Sequence, residues 1–132
     1  MVATCLCGSV RVETRDTPGF LHECNCTLCR KTGARWAYPS PDTVSVEGTT
    51  ARYRRTDKEQ ASAEIHFCPT CGSTTHFTLT EETIAAFGNT MMGVNARLVD
   101  EVQLAGVELR FPDGAAWAGA GEFGYVREAV RL

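Results

Sequence analysis

The sequence predicts a mostly β fold, made of small antiparallel sheets around a metal site. Three observations lead to this prediction: short runs of β-branched and aromatic residues recur along the chain, turn residues separate them, and seven cysteines fall into three groups. Short strands at close spacing with turn signals between them are typical of an all-β or mostly β architecture. With 132 residues the chain is long enough for one domain with its own core.

Seven strands and two short helices are predicted. The strands cover residues 10–13, 34–38, 44–47, 51–54, 63–67, 74–79 and 107–111. Most of them end close to Gly, Pro or Asp, which interrupt regular strand pairing. The helices cover residues 27–32, a single turn, and residues 81–87, where Thr83 and Ile84 would also suit a strand.

The last part of the chain has a different composition. Residues 113–124 are rich in Gly and Ala, and small residues near a chain end are typical of mobile segments. We find no repeat and no linker that would divide the chain. We therefore expect a single domain over residues 1–132, in which residues 113–132 form a loosely packed tail.

The charge balance narrows the classes of partner. The net charge is −3 and the pI is near 5.6, whereas nucleic-acid-binding domains usually carry a basic excess. No run of about 18 apolar residues could span a membrane, and the first residues do not resemble a signal peptide. We therefore expect a cytoplasmic protein that binds neither nucleic acid nor membranes. Thiols stay reduced in that compartment, so grouped cysteines indicate metal ligands or catalysts more often than disulfides.

The seven cysteines form a C-x-C pair, a C-x-C-x-x-C cluster and a C-x-x-C pair. We call the middle cluster the trio; it consists of Cys24, Cys26 and Cys29. We call the four others together the quartet; it consists of Cys5, Cys7, Cys68 and Cys71. The count of seven divides naturally into four ligands and three.

The quartet is interpreted as a closed zinc site. In the segment Cys68–Gly72, the proline fixes one φ angle and the glycine permits a positive φ after the second cysteine. This turn would aim two thiolates at one point. Cys5 and Cys7, if they lie on a strand, would face one side and supply the other two ligands. Spacing alone does not decide which pair joins Cys68 and Cys71, so this division depends on counting.

The trio is interpreted as an open zinc site, because three protein ligands and a free fourth position are typical of a zinc ion that handles a substrate. The cations Arg30, Lys31 and Arg35 would stabilise its thiolates and could hold an anionic ligand. Three alternatives stay open. Any two groups could form one four-cysteine site, the second and third cysteines of the trio could form a redox disulfide, or His22 could close the trio as a fourth ligand.

Three motifs in this order resemble the glutathione-dependent formaldehyde-activating family, also called the centromere-protein-V-like family. They are C-x-C-G-x-V-R at residues 5–11, C-x-C-x-x-C-R-K at residues 24–31 and F-C-x-x-C-G-S at residues 67–73. The segment GVNARLVD at residues 93–100 is also similar, and the resemblance spans residues 3 to 113. Two positions depart from the usual pattern: Asn25, where histidine is common, and Thr4, where a glycine is common.

The resemblance implies an Mss4-like fold with a structural zinc on the quartet and a catalytic zinc on the trio. It also implies the joining of glutathione to formaldehyde, classed as a carbon–sulfur lyase reaction. We therefore expect a zinc enzyme that adds a small thiol to a small aldehyde, with Arg30, Lys31 and Arg35 as candidate substrate-binding residues. The alternatives are a non-catalytic zinc-binding interaction module and a thiol-based sensor. No feature of the sequence indicates an oligomeric state.

Overall fold

The computed structural model describes residues 1–132 as eleven strands, two α-helices and three short 3₁₀ helices. The strands are β1 (Val2–Thr4), β2 (Arg11–Thr14), β3 (Phe20–His22), β4 (Trp36–Ala37), β5 (Val44–Glu47), β6 (Ala51–Arg54), β7 (Ala63–Phe67), β8 (Thr74–Leu79), β9 (Gly93–Asn95), β10 (Glu108–Pro112) and β11 (Tyr125–Arg131). The α-helices are α1 (Thr27–Thr32) and α2 (Glu81–Phe87), and the 3₁₀ helices are Pro41–Thr43, Ala96–Leu98 and Glu101–Leu104.

The strands form two sheets. One has three strands in the order β1-β2-β5, and the other has eight in the order β11-β10-β3-β4-β9-β8-β7-β6. Neighbouring strands run antiparallel, except that β10 and β3 run parallel. The predicted mostly β fold is therefore confirmed. None of the helices combines the length and the apolar character needed to cross a membrane.

Each cysteine group lies against a hydrophobic cluster of its own. The larger cluster joins the two sheets through residues such as Val12, Leu21 and Val94, and it includes two of the quartet cysteines. The smaller cluster centres on Trp36 and Phe77, whose rings meet edge to face with centroids 5.1 Å apart. It includes Cys29, and the two other cysteines of the trio pack against it. The two groups are thus supported by separate parts of the core.

The end of the chain forms an edge strand. β11 pairs with β10, and all seven of its residues are exposed. The backbone N–H of Asp113 donates to the carbonyl of Gly124 (2.7 Å), which closes the loop between the two strands. The region expected to form a loosely packed tail therefore contains a hydrogen-bonded loop and strand.

Two histidines stack where β7 and β8 pair. The rings of His66 and His76 lie face to face with centroids 4.2 Å apart and an angle of 14°. Thr50 and Thr78 hydrogen-bond the ring nitrogens of His66, and Thr75 bonds Nδ1 of His76. Burial, with a smaller contribution from the charge of His66, lowers the pKa of His76 to about 4. Its neutral form is therefore the one that fits the folded protein.

We expect this pair to make the protein less stable in mild acid. Below pH ~6.5 the unfolded chain gains a proton at His76, whereas the folded chain gains it only as the pH approaches the lowered pKa of about 4. The free energy of unfolding therefore decreases as the pH is lowered through this window. His76→Gln should flatten that decline. Urea unfolding of both proteins between about pH 7 and about pH 5, with saturating metal, measures the difference. Parallel pH curves for the two proteins would contradict this account.

Candidate metal centres

The quartet brings four sulfurs to one point. Its Sγ atoms all lie within 4.8 Å of one another, and those of Cys5 and Cys68 each belong to buried residues. The Sγ atom of Cys7 lies 3.6 Å from that of Cys5 and 3.6 Å from that of Cys68. Four sulfurs around a tetrahedral zinc, each ~2.3 Å from the ion, are ~3.8 Å apart. The donor set and its spacing therefore fit a closed tetrahedral metal site.

Two tight turns position these ligands. At Cys68 the N–H of Gly72 donates to the cysteine carbonyl (2.9 Å) and Gly72 has φ 74°, as the sequence predicts. At Cys5 the prediction was wrong in its local structure: β1 ends at Thr4, and the first pair lies in a turn. Gly8, with φ 80°, donates its N–H to the carbonyl of Cys5 (2.9 Å), so the pair lies in a second glycine-containing turn, shorter by one residue.

Two serines that the sequence analysis did not identify support the quartet. Ser9 Oγ is hydrogen-bonded with Cys7 Sγ (2.8 Å) and lies 3.5 Å from Cys68 Sγ, while Ser73 Oγ lies 3.3 Å from Cys71 Sγ. These contacts lower the pKa of Cys68 to about 7 and that of Cys71 to about 5. These two residues thus favour the thiolate form that a metal requires, whereas the pKa of Cys7 is raised. The sequence contained a pattern that could have identified these serines, since each follows a cysteine by two positions.

The trio places three sulfurs within 4.8 Å of one another at the start of α1. Cys26 is the residue before the helix, and Cys29 projects from it into the apolar cluster around Trp36. Hydrogen bonds from Cys24 and Cys29 lower the pKa of Cys26 to about 2, and the contacts with Cys24 and Cys26 raise the pKa of Cys29. The same contacts raise the pKa of Cys24, so Cys26 is the thiolate of the group and the other two thiols donate to it.

The histidine that could have closed the trio lies elsewhere. His22 is not part of the group of ligand atoms formed by the trio. Its ring packs against Phe20 (4.9 Å between centroids) and against the edge of Tyr38 (5.2 Å). Burial and the nearby Arg110 lower its pKa, so it stays neutral in this aromatic contact. In this structure the trio is a set of three donors, with no histidine, aspartate or glutamate as a fourth.

The loop after β10 covers one side of the trio. Asn25 Nδ2 donates to Asp113 Oδ1 (2.7 Å), and the N–H of Ala115 donates to Asn25 Oδ1 (2.8 Å). Gly114, held between these bonds, lies so close that a Cβ atom there would be 2.4 Å from the Sγ of Cys24. Asn25, one of the two residues that depart from the pattern noted in the sequence, therefore holds this loop over the cysteines.

The other side of the trio faces a groove of about 370 Å³. Among its lining residues are Cys24, Cys29, Arg30, Arg97 and Arg127. We call this space the arginine groove. Arg97 and Arg127 are distant from the trio in sequence, and only the fold brings them to it. Arg97 lies in the segment GVNARLVD, whose similarity to the family was visible in the sequence. No sequence pattern pointed to Arg127.

The structure separates the three cations that the sequence grouped together. Arg30 lines the arginine groove, but Lys31 lines a different groove, beside Tyr53 and Arg55 on the other side of α1. Arg35 lies over Glu23, to which its Nη2 atom is 2.8 Å away, and Arg97 shares the same carboxylate oxygen. The three side chains therefore do not converge on one ligand in this structure.

We expect Gly114→Ala to weaken metal binding at the trio. The new methyl group would collide with Cys24, and displaced ligands typically cost ~10-fold or more in metal affinity. Gly124→Ala is the matched control, because it lies in the same loop, has open space around it and needs no positive φ. Titration with Co²⁺, followed by thiolate-to-metal absorption, measures the affinities. Equal Co²⁺ affinity in both variants would refute the close contact.

Comparisons with known proteins identify the fold and the family of the chain. A crystal structure of a Rhodobacter sphaeroides protein superposes with a TM-score of 0.58 at 27% sequence identity, and the match covers 76% of this chain and 88% of that chain. No curated protein matches the chain. The family described as "Glutathione-dependent formaldehyde-activating enzyme" matches residues 1–108, which is most of the sequence. The chain therefore belongs to the glutathione-dependent formaldehyde-activating enzyme family.

Proposed function

We propose that residues 1–132 form one zinc-binding domain, an enzyme that joins a thiol such as glutathione to formaldehyde or another small aldehyde. The observation that carries this proposal is the contrast between the two cysteine groups. The quartet supplies four donors, enough for a closed site, whereas the trio supplies three and lies beside a groove. Closed zinc sites are structural, and sites with three protein ligands handle substrates.

The quartet has the role of holding the fold together. Its ligands come from the turn after β1 and from the turn between β7 and β8, so a zinc bound there would connect the small sheet to the large one. Cys5 and Cys68 are also part of the main hydrophobic cluster. A structural metal at such a point contributes directly to the free energy of folding.

The trio has the role of activating the thiol. Cys24, Cys26 and Cys29 would hold the zinc ion, which would supply positive charge that lowers the pKa of a substrate thiol beside it. Three cysteine thiolates carry more negative charge than a divalent ion neutralises, which favours thiol chemistry over the activation of water. The aromatic cluster under Cys29 and the loop at Gly114 shield the trio from water on two sides. The groove is left as the entry for substrate.

The reaction needs no oxidant or reductant. The sulfur of the thiol forms a bond to the carbonyl carbon of the aldehyde, the carbon–oxygen π bond breaks, and the proton lost by the thiol ends on that oxygen. Tyr38 packs against the cluster that contains the trio, and burial, with the negative charge of the cysteines, raises its pKa. It therefore remains a neutral phenol, able to donate a hydrogen bond, throughout the neutral pH range. The proposal places the protein in the cytoplasm, where glutathione is reduced.

The zinc content of the purified protein tests the division into two sites. Under reducing conditions we expect about two zinc ions per native chain and about one in Cys26→Ala, with folding retained, since the quartet is intact. The native protein should accelerate the addition of glutathione to formaldehyde, and the variant should not. About one zinc in both proteins would contradict the open site and favour a structural zinc module. Zinc lost and regained with mild oxidant and reductant would favour a thiol sensor.

Loss of metal from the quartet should lower the stability of the protein. We expect Cys71→Ala to lose the quartet zinc and to lower the melting temperature by ~10 °C or more, because a structural zinc contributes several kcal/mol. Cys26→Ala, which removes the same atoms from the trio, is the matched comparison and should melt closer to the native protein. Thermal unfolding followed by circular dichroism measures both. A larger loss for Cys26→Ala would reverse the roles assigned to the two groups.

A further inference from the structure

The arginine groove has a positive charge that the protein itself does not neutralise. Of the residues that line it, three are arginines and one is a carboxylate, Glu23. That carboxylate is already shared, because Arg35 and Arg97 both contact its Oε2 atom at 2.8 Å. The guanidinium groups of Arg30 and Arg127 form no ion pair and no hydrogen bond with any other residue. Two cations with free donors therefore face the same space beside Cys24 and Cys29.

One of these cations is held in place. The guanidinium carbon of Arg127 lies 3.6 Å from the centroid of the Phe111 ring, and Phe111 is itself buried. A guanidinium that stacks on an aromatic face keeps the N–H groups at its edge free for a ligand. Because the stacking restricts the long side chain beforehand, less entropy is lost when a ligand is bound. Arg127 is therefore already arranged to accept a carboxylate in bidentate fashion.

Opposite elements of the fold supply the two cations. Arg30 belongs to α1, directly after Cys29, and Arg127 belongs to β11, in the region beyond the part of the chain that matches the family. Cys24 and Cys29 line the same groove. A ligand that lies across the groove can thus place a sulfur at the trio and a negative group at each wall.

We propose that Arg30 and Arg127 are the residues of the arginine groove that bind the carboxylates of the thiol substrate. This proposal extends the proposed function, since it assigns the recognition of the thiol to particular residues. The groove's volume is in the lower part of the range that small-molecule sites occupy, which suits a short peptide thiol. Neutral thiols would leave both guanidinium groups without a partner and would bind more weakly.

The test measures binding to the zinc-loaded full chain, without aldehyde, by isothermal titration calorimetry. The ligands are glutathione, its diethyl ester, in which both carboxylates are masked, and S-methylglutathione, which has no free thiol. We expect Arg30→Gln and Arg127→Gln each to raise the Kd of glutathione about tenfold and to affect S-methylglutathione in the same direction. The ester should bind weakly and equally to all the proteins. Arg15→Gln, an exposed arginine outside the groove, controls for net charge.

The outcomes separate this proposal from the proposed function. Native affinity for glutathione in both arginine variants, or an ester that binds as tightly as glutathione, would overturn the proposal. Arginine-dependent binding of S-methylglutathione supports it even if the protein does not accelerate the formaldehyde reaction, in which case the proposed function fails alone. Binding of free cysteine, which has one carboxylate, distinguishes an amino-acid thiol from a peptide thiol as the ligand. Similar arginine dependence with tighter binding than glutathione indicates the amino-acid thiol. If Arg127→Gln does not fold, Arg127→Lys, which keeps the charge but not the bidentate geometry, provides a second variant for the same measurement.

Discussion

Both cysteine groups bring sulfurs closer together than several negative charges would tolerate. Within each group the sulfurs lie within 4.8 Å of one another, and like charges at such distances repel strongly unless a cation lies between them. Serine hydroxyls, backbone N–H groups and the partial sharing of protons reduce the repulsion. A divalent metal removes it. The turns, the buried cysteines and the loop over the trio all serve to gather these charges at two places.

The order of strands explains how one small chain keeps the two sites apart. β3 and β4 lie near the middle of the large sheet, and α1 connects them, so the trio is held over the aromatic cluster of Trp36 and Phe77. The quartet lies where the turn after β1 meets the turn before β8, against the other cluster. Separate support means that a disturbance in one hydrophobic cluster need not displace the ligands of the other.

The sequence predicted those helices and strands whose formation depends on neighbouring residues. The helices at residues 27–32 and 81–87 have the predicted bounds, as do β5 to β8, because their residue types, turns and caps act within a few positions. Strands β1, β3 and β9 have only three residues each and carry no period that a pattern could detect. The meeting of Arg127 with Cys24 and Cys29 depends on the pairing of β10 with β3 and β11, which is a property of the whole sheet. The stacking of Arg127 on Phe111 also depends on the pairing of β10 with β11, so the sequence did not predict it.

The edge strand β11 has an evolutionary consequence. It forms a wall of the groove, yet all of its residues are exposed, it contains no metal ligand and it lies outside the part of the chain that matches the family. Substitutions at Val126 and Arg127 on this strand would change the lining of the groove while the cysteines and the two cores stay intact, since exposed positions tolerate exchange with little loss of stability. On the proposal above, a change of ligand preference would then need no change at either metal site.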